Sequence, residues 1–577
     1  MEWSEPIRAG DVQQLEPRGR ILTLMALVLS AYLVLLGRLA YWQVIRHGDM
    51  ARLAAAYHDD TVTLPAVRGN IVDRNGALLV SNTPVFSIFA SPDLISTAER
   101  QDIAARLAPV LQLTPDEIQA KLATTRKFVY LARRVSASVA QQLDRLRLPG
   151  IGKMPETERS YVDGGVSGTT LAANLLGFAN DEGKGNYGIE GYYDKILAGQ
   201  PGFEATVRDL ANRPIVLSDR QRRDPVDGAT LQLSLDSTIQ VVAERALADG
   251  VQKFQAESGS LVIMEPQTGR IVAWADVPSY NANDFATTPT AQFIDPIVSD
   301  LYEPGSVMKV VTLSGALDVH AITPDYRFNE TGTAVVGGYA IHNWDGRAHG
   351  MVTMTQVLEN SLNVGAIKAE QLEGPANFVQ YLQRFGIGSP TGVDVAAETA
   401  APLGDLARWK ASQLATAAFG QGVDATAIEM LAAVNVAATG GNLVWPHVVD
   451  DVIDSQGVHH PVKPRIVRQV VSAKTAQQMQ QMMVGVVEHG SGFAARIDGF
   501  KNRIAGKTGT ASIPENGKYL PDQTIGSFVG FLPADHPQFI MLVITRKPQI
   551  LFEGAYVAAP IWKTVASALI TQWQIAP

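Results

Sequence analysis

A serine and a lysine stand three positions apart in the stretch Glu303 to Lys309, EPGSVMK. Pro304 and Gly305 interrupt any preceding element, and the apolar run that follows predicts a helix with Ser306 in its first turn and Lys309 one turn later on the same face. A serine becomes nucleophilic when a neighbour takes its proton, and a lysine can do so when desolvation or another cation lowers its pKa. The helix amino terminus also offers N–H groups to an oxyanion. This spacing predicts a serine nucleophile; the alternative is an ordinary serine beside a solvated lysine.

Two further motifs follow along the chain. Ser361 and Asn363, in LENSLNVG, lie in a break between two helical patterns, so a hydroxyl and an amide project from a short loop. Lys507 opens the strand-like run KTGT, in which Gly509 leaves room for a substrate backbone to approach. Taken alone, Ser361 is explained by a helix cap and Lys507 by a surface turn. In the order S-x-x-K, S-x-N and K-T-G, the three motifs indicate one acyl-transfer site.

Composition limits the classes of function. With 577 residues, of which 46% are hydrophobic, the chain is expected to form two or more domains with sizeable cores. Its net charge of -9 gives no basic surface for nucleic acid, which we therefore exclude as a partner. The absence of cysteine excludes a disulfide framework, thiolate zinc sites and a cysteine nucleophile. We find no convincing metal-ligand cluster and expect neither metal nor cofactor.

An uncharged apolar run from Ile21 to Gly37 is extended by Leu39 to Val44, which includes Tyr41 and Trp42. Roughly 20 mostly apolar residues suffice for a helix to cross a bilayer, and aromatic residues are common at its interfaces. A cleaved signal peptide is the alternative, but its apolar region would be shorter, about 7 to 15 residues, with a small-residue cleavage site soon after. We therefore predict an uncleaved membrane anchor. The arginines on its two sides balance, so charge does not fix its orientation.

The chain beyond the anchor changes character twice. As far as about Val226, short extended runs alternate with turns, and Asn75-Gly76 predicts a hairpin. A stretch rich in Ala, Leu and Gln predicts helix over roughly Ala98 to Leu146. Asp236 or Ser237 then predicts the cap of an amphipathic helix. Strand patterns at residues 260–264 and 270–274 alternate with longer helical ones in the remainder, which indicates a mixed α/β domain.

These motifs, together with their surroundings, resemble the penicillin-binding transpeptidases, and more closely their class B, monofunctional branch. The resemblance covers nearly the whole chain after the anchor. It is carried by RGNIVDRNGALL (68–79), LLGFAN, NYGIEGYYDKILAGQPG (186–202), FGQGVDATAIEMLAAVNVAATGGN (419–442), GSGFAARIDGFKNRIAGKTGTA (490–511) and YVAAPIWKTVA (556–566).

The resemblance implies a fold and a domain organisation. We expect a mixed α/β chain with a cytoplasmic tail (1–20), a single transmembrane helix (21–44), an elongated α+β pedestal of the dimerisation type (45–228) and a transpeptidase domain (229–577). The last domain is expected to have the antiparallel sheet packed between helices of penicillin-binding proteins and serine β-lactamases.

The resemblance also implies roles for the motif residues. Ser306 attacks the carbonyl between the last two D-alanines of a peptidoglycan stem peptide, and Lys309 accepts its proton. Ser361 relays a proton to the departing D-alanine, with Lys507 holding that hydroxyl and helping to lower the pKa of Lys309. Backbone N–H groups of Ser306 and Thr510 stabilise the oxyanion. A neighbouring amine then takes the acyl group, and a β-lactam is expected to trap the same serine.

The remaining motif residues are expected to bind substrate. Asn363 holds the stem amide, Thr508 and Thr510 bind the terminal carboxylate, and Gly509 allows close approach. The charged pedestal group of Arg68, Asp73, Arg74 and Glu190 is expected to form structural ion pairs. His342 has no partner motif and is interpreted as an ordinary polar residue.

Other functions are compatible with parts of this pattern. A serine β-lactamase would be far shorter and would lack anchor and pedestal, and a class A protein would need a glycosyltransferase domain whose acidic motif is missing from residues 42–228. A non-catalytic scaffold or a β-lactam sensor is the alternative from another class. Within class B, YEPGSVMK and YVAAPIW favour the division-specific, FtsI-type or sporulation-related members over the side-wall type, although Leu362 and the stretch Ala425 to Ile428 depart from the common septal pattern.

The same resemblance implies partners and a location. The expected partners are stem peptides, β-lactams as inhibitors, and a SEDS-type lipid II polymerase with other divisome proteins. The catalytic domain is expected outside the cytoplasm, on a chain anchored once in the cell membrane.

Overall fold

The computed structural model describes residues 17–50, 59–207, 221–515 and 518–577. The predicted cytoplasmic tail lies almost wholly outside these ranges. The chain forms two compact units: one contains Met1–Pro65 with Gln200–Pro225, and the other contains Ala66–Gly199 with Val226–Pro577.

The α-helices of the described residues are α1 (Pro17–Ala40), α2 (Arg100–Leu111), α3 (Pro115–Leu122), α4 (Ala137–Leu146), α5 (Ala173–Leu176), α6 (Gly188–Tyr192), α7 (Asp194–Leu197), α8 (Ser237–Lys253), α9 (Pro296–Ser299), α10 (Met308–Asp318), α11 (Met354–Glu359), α12 (Asn363–Glu373), α13 (Pro375–Arg384), α14 (Ala411–Ala417), α15 (Ala427–Ala438), α16 (Ala473–Glu488), α17 (Gly554–Val557) and α18 (Ala559–Gln572).

The strands are β1 (Asp59–Leu64), β2 (Ile71–Val72), β3 (Leu78–Ala90), β4 (Val129–Ser136), β5 (Ile151–Tyr161), β6 (Phe178–Ala179), β7 (Gly185–Asn186), β8 (Gly202–Val207), β9 (Gln221–Arg223), β10 (Thr230–Leu233), β11 (Ser258–Met264), β12 (Ile271–Val277), β13 (Arg327–Glu330), β14 (Thr333–Val336), β15 (Tyr339–His342), β16 (Gly350–Thr353), β17 (Asn442–Val444), β18 (Val449–Ile453), β19 (His459–Pro461), β20 (Ile466–Gln469), β21 (Ala505–Glu515), β22 (Lys518–Leu532) and β23 (Phe539–Arg546).

The smaller unit contains the apolar amino-terminal helix. Helix α1 continues into a short π-helical turn, Tyr41–Ile45, and the span Arg18–Ile45 is long and apolar enough to cross a membrane, with a mean hydropathy of 2.1. Its large apolar side chains are exposed in the isolated chain, as expected for a surface that lipid covers. Strands β1, β8 and β9 form a separate antiparallel sheet in the same unit.

A five-stranded sheet organises the larger unit, in the order β12-β11-β23-β22-β21, with every neighbouring pair antiparallel. Alternate residues of its central strands enter two different cores. Leu261 and Val543 pack with α8 and α18, whereas Val262 and Leu542 belong to the core that includes α10 and α15. The sheet is therefore packed between helices, as predicted.

Local sequence explains the two helices that flank this sheet most closely. Helix α15 is apolar apart from Glu429 and Asn435 and is buried along its whole length, the pattern of a central core helix. Helix α8 begins where Asp236 accepts hydrogen bonds from the backbone of Thr238 and Ile239, at 3.0 and 3.2 Å, so Asp236 is the predicted cap.

A second sheet contains strands from both sides of residue 228, where the pedestal was expected to end. Its strand order is β19-β18-β10-β2-β3-β4, with β5 also paired to β3. The predicted hairpin at Asn75-Gly76 joins β2 to β3, and Gly76 has a φ of 83°. Strand β10 runs parallel to β2 and antiparallel to β18, so the residues directly after position 228 complete this sheet.

The prediction of one helical stretch from Ala98 to Leu146 is partly wrong. Helices α2, α3 and α4 lie there, but strand β4 separates α3 from α4 and pairs with β3. Val129, Leu131 and Val135 supply β-branched and apolar residues at alternate positions. Their pairing with β3 overrides the helix propensity of the neighbouring residues.

The charged pedestal residues are structural, as expected. Arg68 Nε donates to Glu190 Oε2 at 2.7 Å, and Arg74 Nη2 donates to Glu265 Oε1 at 2.7 Å. Asp73 forms hydrogen bonds rather than an ion pair, because it accepts from Ser237 Oγ at 2.6 Å and from two backbone N–H groups of its own turn.

Candidate active site

Ser306 lies in a single 3₁₀ turn, Gly305–Val307, that leads directly into α10. The sequence predicted it in the first turn of the helix, and the structure differs only in the tighter winding of that turn. Gly305 has a φ of +55°, and a Cβ there would approach the Thr510 carbonyl oxygen to 2.8 Å. Glycine thus allows the turn to pass close to β21.

Lys309 lies at the centre of the site. Its Nζ is 2.9 Å from Ser306 Oγ, and it donates to the Ser361 carbonyl oxygen at 2.6 Å and to Asn363 Oδ1 at 2.8 Å. Ser361 Oγ is 3.2 Å away. The S-x-x-K and S-x-N motifs therefore meet around one amine, as the sequence predicted.

Both lysines of the site are fully buried. Burial, and then the charge of Lys507, hold the pKa of Lys309 well below its ordinary value. Burial lowers the pKa of Lys507 to about 7. Removing an amine from water disfavours its charged form, and two amines near one hydroxyl disfavour double protonation further. An uncharged Lys309 is thus compatible with neutral pH.

Ser361 occupies the loop between α11 and α12 with a φ of +56°. This left-handed conformation costs a non-glycine residue roughly 1–2 kcal/mol. Hydrogen bonds offset that cost, because Lys309 binds the Ser361 carbonyl and Lys507 Nζ donates to Ser361 Oγ at 3.0 Å. The sequence predicted the loop but gave no sign of the strained conformation.

Strand β21 carries the K-T-G-T motif at the free edge of the five-stranded sheet. Lys507 Nζ also donates to the Thr508 carbonyl at 2.8 Å, and the hydroxyl oxygens of Thr508 and Ser491 are 2.9 Å apart. Thr510 is exposed, and its Oγ1 accepts from Gly554 N at 3.2 Å.

The edge of β21 faces the nucleophile. The Thr510 carbonyl lies next to Gly305, and the N–H and C=O groups of one strand residue point to the same side. The Thr510 N–H is therefore directed toward the turn that carries Ser306. An edge strand leaves such outward groups free for a ligand.

Gly509 has a different neighbour from the one expected. A Cβ at this position would lie 2.3 Å from Ser527 Oγ and 3.0 Å from Val307 Cγ2. The missing side chain thus lets β21 pack closely against β22 and against the serine turn, rather than making room for a substrate backbone.

A loop that was not predicted from the sequence supports the serine turn. Gly305 N donates to the Gly420 carbonyl at 3.1 Å, and Gly422 N donates to Glu303 Oε1 at 2.8 Å. A Cβ on Gly420 would lie 2.2 Å from the Gly305 oxygen. The paired glycines of FGQG are the signal that could have identified this contact.

Two other contacts were also missed. The Tyr519 hydroxyl lies 3.2 and 3.3 Å from the two carboxylate oxygens of Glu303 and so connects β22 to the serine turn. Asn363 Nδ2 donates to the backbone carbonyl of His342 at 3.0 Å. The side chain of His342 contacts Thr333 and has the ordinary polar role that was predicted, whereas its carbonyl orients the site amide.

Comparison with known proteins agrees with this geometry. Residues 259–567 match the model of the penicillin binding protein transpeptidase domain, and residues 63–233 match that of the penicillin-binding protein dimerisation domain. The chain is 30% identical to stage V sporulation protein D of Bacillus subtilis, over 95% of this chain and 85% of that protein. It is 31% identical to peptidoglycan D,D-transpeptidase FtsI of Escherichia coli, over 97% and 92% of the two chains.

Solved structures give the same result for the fold. A crystal structure of penicillin binding protein 3 from Mycobacterium tuberculosis in complex with aztreonam superposes with a TM-score of 0.70 and 26% identity, covering 89% of this chain and 98% of that one. A peptidoglycan synthetase from Bifidobacterium adolescentis superposes with a TM-score of 0.73 at 26% identity, covering 90% and 97%.

The chain belongs to the penicillin-binding protein transpeptidases. The family match covers the three motifs around Lys309, and the accompanying dimerisation domain distinguishes the chain from a free-standing β-lactamase. The predicted family, fold class and class of enzyme are confirmed.

Proposed function

We propose that Ser306 is the acyl-accepting nucleophile of this peptidoglycan D,D-transpeptidase and that Lys309 is its general base. The observation that carries the proposal is the buried amine of Lys309, 2.9 Å from Ser306 Oγ, with its pKa held well below the ordinary value by burial and by Lys507. A general base must reach the proton that it abstracts and must be uncharged at the working pH.

Hydrogen-bond accounting supports this role for Lys309. A neutral amine has two N–H donors and one lone pair, whereas the ammonium form has three donors and no acceptor. The Ser361 carbonyl at 2.6 Å and Asn363 Oδ1 at 2.8 Å take the two donors. The lone pair is then left for the hydroxyl proton of Ser306.

The acyl-transfer steps follow from the same contacts. Ser306 Oγ attacks the carbonyl between the two terminal D-alanines, and its proton passes to Lys309. The N–H groups of Ser306 and Thr510 stabilise the oxyanion, each contributing about 2.7 to 4 kcal/mol to lowering the barrier. Ser361, whose hydroxyl is held by Lys507 at 3.0 Å, passes a proton to the departing D-alanine amine and regains one from Lys309 Nζ, 3.2 Å from its Oγ. An amine of a second stem then attacks the acyl carbon and gives a proton to Lys309, the ester bond to Ser306 breaks as Lys309 returns the proton to Ser306 Oγ, and the cross-link is complete.

The remaining motif residues hold the donor peptide. Asn363 Nδ2 has two N–H donors; the His342 carbonyl takes one, and the other, which has no acceptor among the described residues, is left for a stem carbonyl. Thr510 Oγ1 accepts from Gly554 N, which leaves its hydroxyl proton for the substrate carboxylate. Thr508 lies beside it on β21, with Gly509 supplying the close packing between them.

Labelling with a fluorescent penicillin tests the assignment. Wild type is expected to retain the label through denaturation, whereas Ser306→Ala takes up none and Lys309→Ala takes it up far more slowly. Release of the label over hours supports a transpeptidase, and release within seconds indicates a β-lactamase. Label retained by Ser306→Ala overturns the assignment.

We also propose that residues 45–228 are a pedestal for a catalytic domain at 229–577, held outside the cytoplasm by the anchor at 21–44. The membrane-length span Arg18–Ile45 and the separate family matches support this division. An alkaline phosphatase fused after Pro577 is expected to be active, because it folds only outside the cytoplasm. An inactive fusion, together with a fluorescent cytoplasmic reporter at the same position, contradicts the orientation.

We propose a role in cell division rather than in side-wall growth, because the relatives include FtsI and a sporulation protein. Depletion of this protein from the bacterium is expected to give filamentous cells rather than rounded ones. Expression of the Ser306→Ala variant in the depleted cells is not expected to restore division. Rescue by that variant would favour the non-catalytic scaffold, and rounding would favour the side-wall role.

A SEDS-type glycan polymerase with other divisome proteins is the proposed partner, contacted through residues 21–44 and the pedestal. The exposed apolar face of α1 supports a membrane contact. Co-purification with the polymerase is expected to fail after the anchor is replaced by an unrelated membrane helix. Undiminished co-purification would contradict this.

A further inference from the structure

The carboxylate of Glu303 joins three segments that surround the nucleophile. Glu303 stands three positions before Ser306 and is only 8% exposed. Its Oε1 accepts from Gly422 N at 2.8 Å, which binds the loop of the FGQG motif. The Tyr519 hydroxyl on β22 lies 3.3 Å from Oε1 and 3.2 Å from Oε2. One side chain thus connects the start of the serine turn with both the loop and the β21–β22 hairpin.

The charge of Glu303 serves these contacts. Gly422 and Tyr519 both donate to the carboxylate, so both hydrogen bonds are strongest while it is ionised. Tyr519 and Gly422 are its only hydrogen-bond partners among the described residues, and neither is a cation. A buried carboxylate that is not paired with a cation is costly. The side chain therefore contributes two strong tethers rather than an ion pair.

The path from Glu303 to Ser306 is short and stiff. Pro304 follows Glu303, with a φ of -71° that its ring fixes. A Cβ on Gly509 of β21 would lie 3.1 Å from the Pro304 carbonyl oxygen, so this backbone is also packed against the strand. Gly305, the next residue, has its N–H bound to the loop. Neither intervening residue has the freedom to absorb a displacement of Glu303.

The other end of the contact leads to Thr510. Tyr519 pairs with Pro514 of β21 in the antiparallel ladder, four positions along that strand from Thr510. Thr510 pairs with Gly526, and its carbonyl lies next to Gly305. Backbone hydrogen bonds of the ladder hold these strand residues in register. The Tyr519 hydroxyl therefore gives the hairpin a second contact with the serine turn, besides the one at Gly305.

The two donors assigned to the oxyanion lie in the segments that these contacts join. The N–H of Ser306 belongs to the turn and that of Thr510 belongs to the strand, so the spacing of the two segments sets the spacing of the donors. Such donors act when they lie about 2.7 to 3.1 Å from the position of the developing charge.

We infer that Glu303 is a positioning residue that sets, through its hydrogen bond with Tyr519, the distance between the two halves of the oxyanion site. The inference rests on the proposed role of Ser306. Glu303 acts through the turn, and Tyr519 acts through the hairpin. Because the oxyanion exists only in the transition state, the contact governs the acylation step and not the binding that precedes it.

The test is the concentration dependence of acylation of the full chain by a fluorescent penicillin. It separates the dissociation constant of the non-covalent complex from the acylation rate constant. Tyr519→Phe removes only the hydroxyl. It is expected to lower the rate constant about tenfold, near the lower end of what a hydrogen bond to a charged group contributes, with the dissociation constant unchanged. Glu303→Ala releases both tethers and is expected to lower the rate constant about 10²-fold.

A control and a double variant complete the test. Tyr192→Phe is the control, because Tyr192 is similarly exposed, at 53% against 46% for Tyr519, and lies in the pedestal. Tyr519→Phe is expected to have no further effect in the Glu303→Ala background, because the hydroxyl has then lost its partner. Glu303→Gln keeps the length of the side chain and an oxygen for Gly422, and its amide can donate to the Tyr519 hydroxyl. This variant is expected to retain more of the rate constant than Glu303→Ala.

Each outcome bears on the inference. A wild-type rate constant in Tyr519→Phe overturns it, as does an equal loss in Tyr192→Phe, an additive effect in the double variant, or a loss that lies in the dissociation constant. Glu303→Gln that is as slow as Glu303→Ala also contradicts it.

A second comparison is available if Glu303→Ala is too unstable to assay. Tyr519→Phe is then measured in the Glu303→Gln background, where its effect is expected to be smaller than in wild type because the hydrogen bond is no longer charge-assisted. An undiminished effect overturns the inference. Failure of wild type to be acylated on Ser306 refutes the proposed function instead, so the two failures are distinguishable.

Discussion

The amines of Lys309 and Lys507 converge on one oxygen, Ser361 Oγ, at 3.2 and 3.0 Å. Residues 198 positions apart in the chain thus bring two buried amines to the same hydroxyl. Two amines close to one hydroxyl are not easily protonated together, and the charge of Lys507 adds to burial in lowering the pKa of Lys309. Burial, together with this relationship, is the physical reason that a lysine can serve as a base here.

The first prediction concerns the acid limb of the pH profile. The charge of Lys507 lowers the pKa of Lys309, and Lys507→Ala removes it. The acid limb of the acylation rate is therefore expected to move to higher pH in this variant, and acylation is expected to slow because Ser361 loses a donor. Stopped-flow measurement with a fluorescent penicillin between pH 5 and 9 checks this. An unmoved limb would show that Lys507 does not act on Lys309.

The second prediction separates the proton-accepting role of Lys309 from its charge. Lys309→Arg keeps a cation that does not lose its proton at any working pH, and Lys309→Met removes the amine. Both are expected to slow acylation by about 10²- to 10⁴-fold, the usual contribution of a general base. Lys563→Met, at an exposed position of α18, is the control. Substantial activity in Lys309→Arg would contradict the role of a neutral amine.

The third prediction concerns the loop behind the serine turn. Gly420 and Gly422 both have positive φ, at +83° and +73°, but a Cβ on Gly420 would lie 2.2 Å from the Gly305 oxygen, whereas one on Gly422 meets only Thr416 Oγ1 at 3.5 Å. Gly420→Ala is expected to slow acylation about tenfold or more, equivalent to about 1.4 kcal/mol in the barrier. Gly422→Ala is the control, because it places an alanine at a positive φ but has no clash with the Gly305 oxygen.

Acylation rates and melting temperatures of the two alanine variants provide the comparison. Equal losses in both would show that backbone strain, rather than contact with Gly305, governs the turn.

The fourth prediction concerns stability and pH. Glu373 lies among α10, α12 and α13, and neither carboxylate oxygen has a hydrogen-bond partner among the described residues. Burial, and then the charge of Glu370, raise the pKa of Glu373 to about 9. The folded chain therefore holds a proton that the unfolded chain loses near pH about 4.3, and stability falls as pH rises from there toward 9.

Glu373→Gln is expected to lessen this fall, so that the variant gains melting temperature relative to wild type at pH 9 but not at pH 4. Thermal unfolding followed by intrinsic fluorescence measures the difference. Glu182→Gln, at an exposed position, is the control. The same decline in Glu373→Gln and wild type would contradict the assignment.

The fold and the motifs could be predicted because their signals are local or pairwise. The Asn75-Gly76 turn, the Asp236 cap and the apolar strands of the main sheet each depend on neighbouring residues. The convergence of Ser306, Lys309 and Lys507 could be predicted because the order of the three motifs resembles that of a known family. The resemblance, rather than spacing alone, gave the long-range contact.

Other features were beyond the reach of the sequence because they depend on packing between distant segments. Strand β4 was assigned to a helix, since its pairing with β3 is not visible in its own residues. The left-handed conformation of Ser361 depends on two lysines far away in the chain. Gly509 was predicted to leave room for a substrate backbone, but a Cβ at this position would meet Ser527 Oγ.

The most direct measurement of the central claim is the site of the covalent bond. After treatment of the full chain with benzylpenicillin, proteolysis and mass spectrometry are expected to find the added mass of the drug on Ser306 and nowhere else. An adduct on Ser361 or any other residue, with Ser306 unmodified, would contradict the assignment of the nucleophile.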